Sequence, residues 1–359
     1  MRTPTTLISF RWLLALLATV AAHGDEVIYP GYRWSTLGDG LYLHSPISPL
    51  AGPVDSNSVV IVTGDGVWVV DTHINPAVSR AVIAQIQRVT EQPVTHVVNT
   101  HWHDDHTNGN HAYRQAFPDA KIIAHKSTLA AMRREWPAMI AQRQQAYAPL
   151  EADQILAAAD KLDDAEAALG YRIYAGYVAA LKPELPELQL VYPDTLVEDR
   201  LEVQYGNRRI IVEWLGRGNT HGDVVVWLPD DGVLITGDLL VAPIPYAFDS
   251  PMADWIETLE RLAATGARTL VPGHGAVQRD NQYLERVMSL LRATVTGVRK
   301  ARQSGIPFSE LSGAVDLSSH EQGFVGGDPE RAYAWRTYYL APGLKSAWTS
   351  LGFPVPDPQ

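Results

Sequence analysis

Asn99-Thr100-His101-Trp102-His103-Asp104-Asp105-His106 packs three histidines and two aspartates directly behind the strand-like run Thr95-His96-Val97-Val98. Imidazole and carboxylate are the side chains that hold a borderline divalent cation such as zinc. On an extended strand end, alternate side chains point the same way, so His101 and His103 can reach one ion. Asp105 and His106 follow where the chain turns away and can reach a second ion beside the first. The segment predicts a metal site at the end of a strand.

Three further places carry the same kind of residue at the same kind of position. His221 sits in Gly216-Arg217-Gly218-Asn219-Thr220-His221-Gly222-Asp223, a glycine-bracketed loop before a strand; Asp238 ends the run Leu234-Ile235-Thr236-Gly237; His274 lies in Val271-Pro272-Gly273-His274-Gly275. Each alone reads as an ordinary turn or loop residue. Loops at one end of a set of strands can converge on one sheet edge, which is what makes the group notable.

The flanking sequence predicts the scaffold. Leu41-Tyr42-Leu43, Ser58 to Val62 and Val67 to Val70 are short β-branched or aromatic runs, the last two separated by a Gly64-Asp65-Gly66 hairpin turn. Asn75-Pro76 opens a helix to about Thr90 with Val78, Val82, Ile83 and Ile86 on one face. From about 127 to 185 the alternation gives way to an Ala-, Gln-, Glu- and Leu-rich stretch that predicts two or three helices, an insertion able to overhang the site. Strands resume near Leu196 to Glu202 and Arg209 to Trp214, then Val224 to Trp227 and Val233 to Ile235. Helices are expected at Met252 to Thr265 and about Asn281 to Gln303, and the tail from Gly305 is less regular. Strand-rich stretches followed by helices occur twice, which predicts an α+β fold of αββα type: two facing mixed β-sheets with helices outside.

These motifs, in this order, resemble the metallo-β-lactamase superfamily over roughly Asn57 to Gln278, with Asp71 in Val69-Val70-Asp71 matching the first motif. The resemblance implies that His101, His103 and His221 hold one metal, that Asp105, His106 and His274 hold a second, and that Asp238 bridges them. Asp71 matches a residue that orients the histidine loop. It implies two zinc ions, although such ligands do not exclude iron. Zinc lowers the pKa of bound water from about 15.7 to near 7, so a metal-bridging hydroxide could attack an amide, ester or thioester, open or cyclic (a β-lactam or lactone), with Asp105 orienting it and passing a proton to the leaving group. The Gly237-Asp238 pair is more like glyoxalase II, lactonases and other general hydrolases than dedicated β-lactamases, which use a cysteine or another residue there. A mono-iron oxidoreductase of the persulfide dioxygenase type and a non-catalytic metal-binding protein are the alternatives.

His73 and Tyr246, close to Asp71 and Asp238 in sequence, are candidates for the substrate pocket, with a loop histidine and a packing tyrosine as the ordinary readings. Arg217 is a candidate for holding an anionic group, against an ordinary surface arginine. Asp104 reads as a solvated neighbour, Trp102 as packing beneath the metal loop, and His23, His44, His96, His111, His125 and His320 as structural.

Bulk properties narrow the class. The chain has 359 residues, 46% hydrophobic, and a formal net charge of -11. That balance argues against nucleic acid and anionic membranes as partners and fits a small-molecule substrate; it says nothing of oligomeric state. Arg2 and Arg11, the apolar stretch Trp12 to Val20 and the small residues Val20-Ala21-Ala22 predict a signal peptide over 1–22. A metallo-β-lactamase-like domain over 23–304 and a C-terminal extension over 305–359 follow, in a periplasmic or secreted protein off the membrane once the signal is cut. With Cys 0, every metal ligand must be His, Asp, Glu or water.

Overall fold

The computed structural model describes residues 25–50, 54–248 and 250–354. The signal peptide expected over 1–22, and His23, lie outside them. Two mixed β-sheets form the centre, as expected. Eight strands make the first in strict chain order, from Glu26–Tyr29 at one edge to Thr195–Val197 at the other. Pairing is antiparallel as far as Val67–Val70 and parallel from there through Val94–Val98 and Lys121–His125. The second sheet runs Thr269–His274, Val233–Val241, Val224–Leu228, Arg208–Trp214, Arg200–Tyr205, with only its first pair parallel.

The period-2 alternation of the strands decides which face each residue serves. Val59, Ile61, Trp68 and Val70 point inward and meet Val212, Val226, Ile235 and Val271 of the facing sheet in one buried cluster. Their neighbours Val60, Val67 and Val69 point outward, against Val82, Ile83 and Ile86 of helix Pro76–Val89 and Tyr113 of helix Asn110–Ala116. On the far side Leu234 and Leu270 pack on Trp255 and Leu259 of helix Met252–Ala264 and on Leu284, Val287 and Leu291 of helix Gln282–Gln303. The tail joins the same core through Trp335, Tyr339 and Trp348. Helix Pro76–Val89 starts where the Asn75 side chain accepts from Ala77 N–H, with proline at its first position.

The insertion forms three helices, Lys126–Tyr147, Ala152–Ala159 and Ala165–Leu181. Ile140, Tyr147, Val178 and Leu181 bury together with Ile74, which sits just past the first-sheet strand Val67–Val70. The insertion therefore sits over the sheet end where the histidine segment emerges. One expectation needs correction: the run Leu196 to Glu202 is not one strand. Thr195–Val197 closes the first sheet and Arg200–Tyr205 edges the second, and the chain changes sheets within Glu198-Asp199. Local sequence carries no mark of that change, because both pieces alternate like any strand.

Candidate metal centre and its pocket

The two sheets are tied together at the edge where the motif residues emerge. Asn57 N–H donates to Gly273 O at 2.6 Å, and its amide donates to Pro272 O and Gly275 O. Val224 N–H donates to Thr100 O at 2.8 Å. These bonds hold the strand end bearing His274 and the loop around Asn219 against the histidine segment.

Asp71 organises that segment. Its carboxylate accepts from Thr100 N–H, Thr100 O–H and His106 Nδ1–H, each at 2.8 Å. Asp71 and His73 both adopt left-handed backbone, φ 60° and 68°. That conformation costs a non-glycine residue roughly 1 kcal/mol or more, and the three bonds at Asp71 offset it. His274 Nδ1–H donates to Asp55 O at 2.8 Å. Both His106 and His274 are thereby locked in the tautomer that leaves Nε2 bare.

The bare nitrogens meet two carboxylates. His106 Nε2 and His274 Nε2 are 3.2 Å apart. Asp105 Oδ2 lies 3.4 and 3.1 Å from them, and Asp238 Oδ1 lies 3.3 Å from each. Zinc with ligands about 2.05 Å away would give a tetrahedron with edges of about 3.3 Å. Five of the six edges of this cage are thus at the spacing of zinc ligands. Asp238 Oδ1 has no hydrogen-bond partner among the described residues, although it is buried. A buried carboxylate oxygen left this way is costly unless a cation serves it, so the residues fit the metal.

Beside this cage, His101, His103 and Asp238 form a second group whose ligand atoms lie within 4.8 Å of one another. His101 Nε2 is 3.0 Å from His103 Nδ1 and 3.8 Å from Asp238 Oδ2. Asp238 therefore presents one oxygen to each group. Burial would raise the carboxyls of Asp105 and Asp238, but the facing His106 and His274 outweigh it and hold both below the usual range. Burial would likewise lower the two imidazoles, yet the carboxylates hold His106 well above its ordinary value and push His274 up to about 10. His101 goes the other way, pushed well down by burial and by His106. Without a metal the two Nε2 atoms take up protons and pair with these carboxylates, and a bound cation would replace those protons.

Of the residues singled out from sequence, six converge: His101, His103, Asp105, His106, Asp238 and His274. His221 does not join them. Gly218 N–H to Thr220 O, Thr220 N–H to Asp223 and Gly222 N–H to Thr220 Oγ1 close a tight turn that leaves His221 exposed at its tip. Asn219, in the same turn, is buried with neither amide atom partnered among the described residues. The loop's only histidine drew the sequence reading; the inward position belongs to the asparagine.

The pocket candidates divide. Tyr246 lines the cavity over the centre, and its ring lies 5.1 Å from that of His274. His73 is a correction: it is fully buried, 2.9 Å from His44 Nδ1 and 3.4 Å from Asp55, and lies outside that cavity's lining. Arg217 is exposed and paired with Asp254. Asp104, expected to be solvated, is buried and pairs with Arg143 of the insertion. Trp102 packs its ring edge-on to His103 and accepts from the Trp136 indole through its carbonyl. The cavity, about 410 Å³, opens on His103, Asp105 and Asp238. Its wall residues Tyr147, Tyr174, Tyr177, Phe248 and Tyr338 carried no motif, and only their aromaticity near an insertion could have flagged them.

Two facing mixed sheets between helix layers, with histidines and aspartates gathered where the strand ends meet, define an αββα protein with a candidate metal centre. The sequence profile of the metallo-beta-lactamase superfamily matches residues 51–274, and the chain belongs to that superfamily. A linear primary-alkylsulfatase of a Pseudomonas strain is 24% identical over 287 residues, a match spanning 74% of this chain and 51% of that enzyme. The metallo-beta-lactamase type 2 of a Bacillus strain is 23% identical over 72% of this chain and 81% of its own. Among solved structures, a metallo-beta-lactamase from Pontibacter korlensis shares the fold with a TM-score of 0.53 at 19% identity, covering 73% of this chain and 99% of that one.

Proposed function

We propose that the chain is an exported two-zinc hydrolase that cleaves an amide, ester or thioester bond, open or cyclic, in a small molecule. The observation that carries the reading is the cage of His106, His274, Asp105 and Asp238 at zinc-ligand spacing, opening on a cavity of about 410 Å³. His101 and His103 with the second oxygen of Asp238 would hold the other ion. Zinc bound there would supply a water acidic enough to attack at neutral pH and a charge to polarise the scissile group. Asp105, partly open to the cavity, would orient that water and carry its proton to the departing atom. Asp71 and Asp55 O fix the imidazoles, so the residues that meet the reaction need no rearrangement. The Gly237-Asp238 pair supports a general hydrolase of the glyoxalase II kind over a dedicated β-lactamase.

Export rests on the charge and apolar pattern of residues 1–22. Among the described residues no helix is long and apolar enough to cross a membrane. The test is a chromogenic panel of β-lactam, lactone, thioester, aryl ester and sulfate ester, the last added because of the alkylsulfatase relative. Turnover that is lost on chelation and restored by zinc is the expected result. Iron in the purified protein together with oxygen uptake would overturn the reading.

A further inference from the structure

The cavity over the centre has a composition that bears on what enters it. Six aromatic side chains line it: Tyr147, Tyr174 and Tyr177 from the insertion, Tyr246 and Phe248 from the segment after Asp238, and Tyr338 from the C-terminal tail. The rings brace one another. Tyr246 and Tyr338 meet edge-to-face at 5.1 Å, Phe248 and Tyr338 at 5.9 Å, and Tyr147 and Tyr174 at 6.0 Å. Such arrays hold their shape and offer both π-faces and positive ring edges to a guest.

Charge in the wall is spent. Among the described residues Arg143 is the only lysine or arginine lining the cavity, and its guanidinium is tied to Asp104. Away from the metal centre, no free lysine or arginine among the described residues lines the wall to receive a carboxylate or sulfate carried on the ring. The Tyr246 ring lines the cavity, and its hydroxyl is buried with no hydrogen-bond partner among the described residues. The Tyr177 oxygen accepts from Val54 N–H at 3.1 Å.

Building on the hydrolase reading, we propose that this cavity holds an uncharged aromatic group of the substrate, packed against these rings. The substrate class is an aryl or arylmethyl ester, thioester or amide without a carboxylate or sulfate on the ring. Size agrees: a cavity of about 150 Å³ accepts a benzene ring, so 410 Å³ takes a ring and the group joining it to the scissile bond.

The test uses the zinc-loaded chain and three probes of one chemistry: phenyl acetate, 4-carboxyphenyl acetate and hexyl acetate. Each kcat/KM is divided by the probe's own hydroxide-catalysed rate constant, which removes intrinsic reactivity. Phenyl acetate is expected to lead each of the others by about tenfold or more, as one or two ring contacts would give. Tyr338→Leu and, separately, Phe248→Leu, each of which keeps bulk and loses a ring, are expected to cut that lead mainly through KM while zinc content and circular dichroism stay unchanged. Binding of 2-naphthol, followed by fluorescence, separates this proposal from the hydrolase reading. If naphthol binds and Tyr338→Leu weakens it but no ester is cleaved, the hydrolase reading fails and the pocket assignment stands. Esters cleaved with no aryl preference, a preference for the carboxylated or hexyl probe, or naphthol bound equally by Tyr338→Leu would each overturn the assignment.

Discussion

His274→Ala and His221→Ala should behave as opposites, although both replace a histidine of a glycine-flanked loop. His274 Nε2 is one corner of a four-atom cage, 3.1 to 3.3 Å from the other three. Four-ligand zinc sites bind with roughly 10–16 kcal/mol. Shared over four corners, one imidazole is worth about 3 kcal/mol, or about a hundredfold in Kd. His221 is exposed and outside both ligand groups, so its loss should change zinc affinity by less than about twofold. The assay is zinc competition with a chromogenic chelator at fixed pH, with metal content after dialysis as a second readout. Expected are tight binding in wild type and His221→Ala, and one strongly weakened equivalent in His274→Ala. If His221→Ala lost a zinc ion as readily as His274→Ala, the placement of the turn at Asn219 and the ligand set drawn from it would be refuted.

Other substitutions test the surroundings. A Cβ on Gly273 would lie 2.0 Å from Asp238 Oδ1 and 2.8 Å from the Gly237 backbone, so Gly273→Ala should displace the shared carboxylate; the variant is expected to fold by circular dichroism yet retain less zinc after dialysis. Trp136 is fully buried beneath the histidine segment and bonds Trp102 O, so Trp136→Ala should lose about 3–5 kcal/mol in urea unfolding. Burial, with Asp238 adding to it against the Thr220 hydrogen bonds, pushes the Asp223 carboxyl up from 3.8 to about 7. A raised carboxyl favours the folded state fully below its unfolded pKa, and that contribution fades as pH climbs from about 4 to 7. In zinc-free protein, Asp223→Asn removes the cost of ionisation and should stabilise by on the order of 2–4 kcal/mol at pH 8 but little at pH 4; equal Tm shifts at both pH values would contradict the cause given.

The fold was legible because its two signals are local. Strand alternation put Val59, Ile61 and Val70 on one face, and the Asn75-Pro76 cap marked the first long helix. The metal cluster was legible because His101 to His106 are contiguous and because His274 and Asp238 end apolar strands. What failed depended on the third dimension. Whether Asn219 or His221 turns inward is set by hydrogen bonds within a tight turn, and whether Arg217 meets the pocket or Asp254 is set by a helix far along the chain. His73 follows a strand end as a pocket residue would, yet its left-handed backbone turns it into the core beside His44 and Asp55. The tyrosine wall draws on three segments that share no periodicity, so no window of sequence contains it.

A crystal structure of zinc-soaked protein with anomalous data at the zinc edge tests the central claim most directly. It should show one peak enclosed by His106, His274, Asp105 and Asp238, and a second beside His101, His103 and the other oxygen of Asp238. Density at His221, or no peak at either group with zinc in excess, would contradict it.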